Sequence, residues 1–195
     1  MTEFAAYFSI FFAAIFTNNI LLTNYLGMCS FLGASREIKT AGGLGTAVIF
    51  VMTVTSMLNW LVYTYLLLPF GLEHLRFIIF IVVIAAFVQI AEMAIERMSQ
   101  KLYHALGIFL PLITVNCAIL GVSLFMIIRS YGFIQSVAYG AGSGIGWAVA
   151  IMAMAGIRQK MAKSKIAPGL EGAGIALIIA GIMSLAFIGF NGMLS

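Results

Sequence analysis

The sequence predicts an all-α integral membrane protein with six transmembrane helices, arranged as two inverted three-helix repeats. The prediction rests on a very apolar composition, six runs of membrane-spanning length and a motif that occurs once in each half. Apolar residues make up 63% of the 195 residues and charged residues only 8%. Soluble domains have roughly 45–50% and 25%. The composition therefore excludes a soluble enzyme, a nucleic-acid-binding domain and a disordered chain.

Long apolar runs follow one another along the chain. A bilayer needs about 20 predominantly apolar residues per helix, and six runs reach this length when Glu92 is counted inside the third. Their bounds are 4–35, 40–72, 77–95, 102–128, 130–157 and 172–195. The first run is too long for a cleaved signal peptide and has no basic segment before it. We expect one membrane domain, residues 1–195, with repeats of about 1–99 and 100–195.

Basic residues are divided unequally between the connections. Because cytoplasmic loops carry the excess of Lys and Arg, the first, third and fifth connections are expected in the cytoplasm and both termini outside. The basic residues of these odd connections are Arg36, Lys39, Arg97, Lys101, Arg158, Lys160, Lys163 and Lys165, against Arg76 and Arg129 in the even ones.

A motif with the pattern C-x-x-L-G-x-S occurs once in each half. Residues 29–35 read CSFLGAS, and residues 117–123, 88 positions later, read CAILGVS. A second echo follows each copy, GLGTAV at 43–48 and GIGWAV at 144–149. A three-helix unit copied in tandem enters the membrane upside down, which produces a pseudo-two-fold axis in the membrane plane. We expect the two motif copies to meet near the midplane.

The first run of each half is longer than one span needs and contains residues that interrupt helices. In the first run Gly27 and Gly33 flank Cys29. In the other, Pro111 lacks an amide hydrogen and frees a backbone carbonyl. We therefore expect broken or re-entrant helices around the two cysteines.

Cys29 and Cys117 occupy equivalent positions of the repeat. Thiolates are soft ligands suited to iron–sulfur clusters, copper(I) or zinc. Two thiolates are half of a cluster site, so a second copy or a homologous partner would supply the rest. The alternative is that both cysteines are small buried apolar residues. A disulfide is disfavoured, because the lipid interior is remote from the oxidising machinery.

Glu92 is the one acid inside an expected span. A carboxylate in hydrocarbon is costly, so Glu92 is a candidate for an ion pathway, with Gln89 nearby. The alternative is a helix-end acid paired with a base such as Arg97. The asparagines of the expected spans are better explained by hydrogen bonds between helices than by ion binding, and they are Asn18, Asn19, Asn24 and Asn116.

Three stretches resemble the NqrE/RnfA family of paired membrane subunits. They are YLGMCSFL at 25–32, VQIAEM at 88–93 and LGIFLPLITVNCA at 106–118, and the resemblance covers essentially the whole chain. One branch belongs to the sodium-translocating NADH:quinone reductase, and the other to the Rnf complex, a ferredoxin:NAD⁺ oxidoreductase. The longer motifs, such as residues 142–158, favour the NqrE type, whereas residues 69–76 resemble the RnfA type.

The resemblance implies a multi-pass subunit of the bacterial inner membrane with both termini periplasmic. It implies pairing with a homologous subunit of opposite orientation, of the NqrD/RnfE type. A [2Fe–2S] cluster shared at that interface would have Cys29 and Cys117 as two of its iron ligands. It would carry electrons between the flavin and iron–sulfur centres of other subunits, on a route from NADH to ubiquinone. Glu92 matches the acid of the family's Q-x-x-E-M motif and stays a candidate for sodium passage.

Two other functions remain open at this point. One is a stand-alone carrier of ions or small solutes, with Glu92 coupling transport to protons or sodium. The other is a scaffold that only packs around redox partners. The electron-conducting subunit is favoured, because a transporter does not need two symmetry-related thiols. The chain has no recognisable flavin, nicotinamide or quinone site, so we expect activity as a translocase only within the complex.

Overall fold

The computed structural model describes residues 2–98, 113–114, 116–162 and 172–191. This part of the chain is all-helical, as the composition predicts. Its helices are α1 Thr2–Ile15, α2 Met28–Ala34, α3 Ile38–Val62, α4 Arg76–Met98, α5 Cys117–Ile128, α6 Phe133–Met161 and α7 Ala173–Asn191. A π-helical turn, Tyr63–Leu67, and a last helical turn, Leu68–Phe70, extend α3, and a 3₁₀ turn, Glu73–Leu75, precedes α4.

Three helical segments are long and apolar enough to cross a membrane. They are Ile38–Phe70, Glu73–Ala94 and Phe133–Met161, and they correspond to the second, third and fifth expected spans. Three shorter apolar helices, Ala6–Ile15, Cys117–Ile128 and Ala173–Gly189, fall within the other three runs. The prediction of an all-α membrane protein is confirmed. The start of the fourth run, including Pro111, lies outside the described residues.

α1 lies against the first half of α6 and runs in the same direction. Two α6 glycines allow the close approach: a Cβ on Gly142 would stand 2.7 Å from the Phe11 carbonyl oxygen, and one on Gly146 would stand 2.9 Å from that of Ile15. α1 ends at Ile15, near the middle of α6. The chain then passes through residues 16–27 in turns before α2 begins.

α2 continues toward the far end of α6. Arg158, in the last turn of α6, donates from Nη1 to the Leu32 carbonyl oxygen at 3.0 Å and to Ser35 Oγ at 2.8 Å. The first run therefore follows α6 from one half into the other as a helix broken at its middle, which confirms the expected break. The expected interruption at Gly33 is wrong: this residue lies inside α2, since Gly27 alone provides the turn at its start.

α5 runs toward the opposite end of α6. Arg129, which ends α5, lies 5.5 Å from the centroid of the Tyr139 ring in the first half of α6. Tyr131 packs edge-on against the same ring at 5.5 Å and accepts a hydrogen bond from Trp60 Nε1 through its carbonyl oxygen. α2 and α5 therefore point to opposite ends of the bundle.

α3 and α6 cross each other in antiparallel orientation at the centre of the bundle. A Cβ on Gly140 would stand 2.9 Å from Ser56 Cβ, and one on Gly144 would stand 2.9 Å from Ile49 Cα. Small residues at helix contacts let backbones approach closely, as is typical of packing in membranes. The glycine-rich stretch of α6 thus forms the contact around which the other helices pack.

α4 packs against the bundle by one stripe. Phe80, Ile84 and Val88, spaced four residues apart, are buried, and the rings of Phe50 and Phe87 lie 6.3 Å apart between α3 and α4. The outer face of α4 is apolar and exposed, as expected of a surface that contacts lipid or another protein chain. Its exposed residues include Phe77, Ile78, Ile81, Val82, Ile90 and Met93.

The basic residues separate to the two ends of the bundle. The ends of α2, α4 and α6 come together with the start of α3, as the odd-numbered connections require. Arg36, Lys39, Arg97, Arg158 and Lys160 lie at this end, and Arg76 and Arg129 lie at the other. Lys101, Lys163 and Lys165 lie outside the described residues.

Replacement of Gly144 by alanine is expected to destabilise the bundle. The new methyl group would stand 2.9 Å from the Cα of Ile49. A backbone atom cannot swing aside as a side chain does, so α3 and α6 must separate, at a cost of about 1–3 kcal/mol. The measurement is the Tm of the purified protein in detergent. Gly156→Ala on the same helix is the control, because its methyl group meets no atom within 4 Å, and equal Tm values would contradict the packing.

Candidate functional site

The two cysteines lie at the starts of two short helices. Cys29 is the second residue of α2, and Cys117 is the first residue of α5. Both are free thiols, and both side chains are exposed at the surface of the described chain. This exposure argues against the alternative that they are small buried packing residues.

The two cysteine-containing segments contact each other. The backbone N–H of Gly27 donates to Cys117 Sγ, with 2.9 Å between nitrogen and sulfur. Asn116 Nδ2 donates to Ser30 Oγ at 3.2 Å. The two copies of the motif therefore meet, as expected from their equivalent positions in the repeat.

The meeting point is level with the centre of α6. Trp147 is the middle residue of α6, Phe133–Met161, and its Nε1 would lie 2.7 Å from a Cβ built on Gly27. At a rise of 1.5 Å per residue, this position is about 21 Å from either end of the helix. The cysteine segments thus lie at a depth that corresponds to the interior of a bilayer if α6 spans it.

Asn19 satisfies the backbone where α1 stops. Its Oδ1 accepts hydrogen bonds from the backbone N–H groups of Leu21 and Leu22 at 3.1 and 3.3 Å. Its Nδ2 donates to the carbonyl oxygens of Ile15 and Gly146 at 3.0 and 2.9 Å. One buried side chain thereby replaces bonds that a continuous helix would make. The expected role in bonding neighbouring helices is confirmed for this residue.

Asn116 has the corresponding role at the start of α5. It is the N-cap, and its Oδ1 accepts a hydrogen bond from the backbone N–H of Ala118 at 3.0 Å. Asparagine is a preferred N-cap residue, a signal that is lost when the whole apolar run is treated as one segment. Asn18 and Asn24, also expected to bond helices, form no side-chain hydrogen bond within the described residues.

Two residues of the break have a left-handed backbone. Gly27 has φ 85°, and Tyr25 has φ 55°, a conformation that costs a non-glycine residue about 1–3 kcal/mol. The Tyr25 hydroxyl donates to Ser184 Oγ at 3.0 Å, and Ser184 donates to the Leu22 carbonyl oxygen at 2.6 Å. These bonds join α7 to the break and offset the strain at Tyr25.

A groove of about 260 Å³ opens beside Cys117, between α4 and α5. Its walls are mostly apolar and include Ile81, Ile84 and Ala85 of α4 together with Asn116, Cys117 and Leu120. The Cys117 side chain is therefore accessible from outside the fold through an apolar opening.

Glu92 lies on the inward stripe of α4. It follows Val88 by one turn, and its side chain is half-buried, whereas Gln89 is exposed. It forms no hydrogen bond or ion pair with the side chains that the structure describes, so the alternative pairing with Arg97 is not supported. Eight residues separate it from Ile84 of the groove, or about 12 Å along the helix. The structure does not bring Glu92 to the cysteines.

The residues present can supply half of an iron–sulfur site. Among the described residues, no group of three or more His, Cys, Asp or Glu side chains is arranged to hold a metal ion. A [2Fe–2S] cluster is held by four cysteine thiolates. Two exposed thiols on adjoining segments therefore suit a shared site better than a complete site within this chain.

Replacement of Gly27 by alanine is expected to disturb the contact between the cysteine segments. A left-handed alanine costs about 1–2 kcal/mol, and its Cβ would lie 2.7 Å from Trp147 Nε1 and 3.0 Å from Asn116 Oδ1. We expect a lower Tm in detergent than for Gly33→Ala, the control, whose methyl group meets nothing within 4 Å. A Gly27→Ala protein as stable as the control would contradict this geometry.

The chain matches the family model described as "Rnf-Nqr subunit, membrane protein" over residues 7–194. It is 54% identical over 193 residues to the E-type subunit of the Na(+)-translocating NADH-quinone reductase of Aeromonas hydrophila, covering 96% of this chain and 98% of that protein. The protein of the same name from Aeromonas salmonicida matches equally well. That of Maridesulfovibrio salexigens is 51% identical over 195 residues, covering 95% and 96%. These matches confirm the resemblance, and the chain belongs to the Rnf-Nqr family of membrane-protein subunits.

Proposed function

We propose that the chain is the E-type membrane subunit of a Na⁺-translocating NADH-quinone reductase. Within that complex it would conduct electrons across the membrane, with Cys29 and Cys117 supplying two ligands of a shared [2Fe–2S] cluster. The observation that carries the proposal is the meeting of two cysteine-bearing helix starts, both thiols exposed, level with the centre of α6. Relatives at 51–54% identity, all of them named as the E-type component of this reductase, support this complex over the Rnf branch.

The environment of the thiols suits an iron–sulfur cluster. Cys117 Sγ accepts a hydrogen bond from the Gly27 backbone, and hydrogen bonds to cysteine sulfur help to set the reduction potential of such clusters. Behind the thiols, the chain supplies an apolar shell that excludes water and so lowers the local polarity. The shell includes Ile20, Leu21, Leu22, Phe31, Ile119 and Val122, none more than 1% exposed.

Bound there, a [2Fe–2S] cluster would supply a one-electron carrier inside the bilayer. The residues of this chain hold the two thiols at the meeting point of α2 and α5 and exclude water behind them. Asn19 and Asn116 satisfy the backbone at the two helix ends, which keeps the thiols in place. Electron donors and acceptors with flavin and iron–sulfur centres would be other subunits of the complex.

A homologous subunit of opposite orientation, of the NqrD type, is the proposed source of the other two ligands. The exposed thiols and the groove beside Cys117 need a covering chain, and the outer face of α4 offers an apolar contact surface. Two inverted halves within the chain support such pairing. α2 and α5 diverge from a common point and α3 and α6 are antiparallel, as a pseudo-two-fold axis in the membrane plane requires.

Glu92 is the proposed ion-pathway residue. Its carboxylate is half-buried on the inward face of α4, near the end where the basic residues gather, and it lacks an ionic partner among the described residues. An unpaired intramembrane carboxylate is suited to the transient binding of a cation. The distance from the groove separates this role from that of the cysteines.

Replacement of Cys117 by serine is expected to abolish one [2Fe–2S] signal in the EPR spectrum of the dithionite-reduced complex. Serine preserves the size of the side chain but removes the soft thiolate ligand. The complex is purified with its neighbouring subunits, and its subunit composition is measured alongside. Cys29→Ser should give the same loss.

Glu92→Gln is the matched variant in this experiment. It should retain the cluster signal and lower sodium-dependent quinone reduction. An unchanged spectrum in both cysteine variants would sink the electron-conducting role and favour a scaffold. Uptake of sodium by the isolated chain in liposomes, insensitive to both cysteine changes, would favour a stand-alone carrier.

The orientation proposed is that of a bacterial inner-membrane protein with both termini periplasmic. The end of the bundle that gathers Arg36, Lys39, Arg97, Arg158 and Lys160 would face the cytoplasm. Alkaline phosphatase, which is active only in the periplasm, should therefore be active when fused after residue 195 and inactive when fused after Lys160. The reverse pattern of phosphatase activity would overturn the orientation.

A further inference from the structure

Trp147 is a buried tryptophan whose indole N–H has no acceptor. Its side chain is 0% exposed, and Nε1 has no hydrogen-bond partner in the part of the chain that the structure describes. Buried polar groups are almost always hydrogen-bonded, because an unpaired donor loses its water without compensation. Phenylalanine would fill much of the same space without this cost. The indole nitrogen therefore requires an explanation beyond packing.

The indole N–H edge faces the turn that contacts the thiol. Of all atoms, Trp147 Nε1 is the nearest to the point where a Cβ of Gly27 would stand, at 2.7 Å. Asn116 Oδ1 approaches the same point at 3.0 Å, but it already accepts a hydrogen bond from the Ala118 backbone N–H. Gly27 itself donates to Cys117 Sγ. Trp147 thus adds a second N–H group, still unused, next to the backbone that binds the sulfur.

The other tryptophan of the chain provides an internal comparison. Trp60 is partly buried, and its Nε1 donates to the Tyr131 carbonyl oxygen at 3.0 Å. That residue lies near the end of α3, away from the cysteine segments. The unpaired indole is therefore the one placed at the meeting point of α2 and α5, level with the centre of α6.

We propose that Trp147 is a positioning residue that tunes the redox site, an inference that rests on the proposed function. Its indole N–H directs the positive end of a dipole toward the sulfur atoms held at Cys117. One-electron reduction adds a negative charge at the site, and a fixed N–H dipole stabilises that charge strongly in a surrounding of low dielectric constant. The indole therefore raises the midpoint potential of the [2Fe–2S] couple, with no bond made or broken.

The test is a redox titration of the purified complex followed by EPR, for wild type, Trp147→Phe and Trp60→Phe. Trp147→Phe keeps an aromatic ring and removes the N–H, so the [2Fe–2S] signal should remain while its midpoint potential shifts to a more negative value. Trp60→Phe should leave the potential unchanged. An unshifted potential in Trp147→Phe, or equal shifts in both variants, would overturn the inference.

A second measurement decides the matter if Trp147→Phe does not assemble. Pulsed EPR of the reduced complex, with ¹⁵N in the tryptophan indoles, should detect a weak coupling between the cluster and an indole nitrogen that persists in Trp60→Phe. Absence of any such coupling would overturn the role of Trp147. The proposed function fails separately, if the wild-type complex has no [2Fe–2S] signal that depends on Cys117.

Discussion

The structure depends on satisfying backbone hydrogen bonds where the first helix stops at the level of the centre of α6. In hydrocarbon no water is available to bond the free N–H and C=O groups, and each unpaired group costs several kcal/mol. Asn19 meets this requirement with four hydrogen bonds, one of them to the α6 backbone. Without these bonds a chain in lipid would stay helical through residues 16–27, and Cys29 would not stand at a helix start.

The packing around the break follows from the same constraint. The α6 glycines allow α1 on one side and α3 on the other to approach its backbone, so the break is enclosed and only the sides of the cysteines remain open. Asn116 then caps α5 and bonds to Ser30, which joins the second cysteine segment to the first. Small residues and buried amides together produce a rigid floor beneath two accessible thiols.

Much of this arrangement could be predicted from the sequence, because it is written in local patterns. The repeated motif indicates that Cys29 and Cys117 belong together, and Gly27 indicates a break. The interruption expected at Gly33 is wrong, since a glycine near a helix end has the same local signature as one in a turn. The unpaired nitrogen of Trp147 could not be predicted, because the lack of an acceptor depends on atoms from three separate segments. The inward position of Glu92 was within reach, since Phe80, Ile84 and Val88 precede it at a spacing of four.

The hydrogen bonds from Tyr25 through Ser184 to Leu22 act as a mechanical link. They join the last helix of the chain to a strained residue four positions before Cys29. A displacement of α7 is therefore transmitted to the first cysteine segment rather than absorbed by the turns between α1 and α2. The last helix and the first thiol behave as parts of one lever, although about 150 residues of chain separate them.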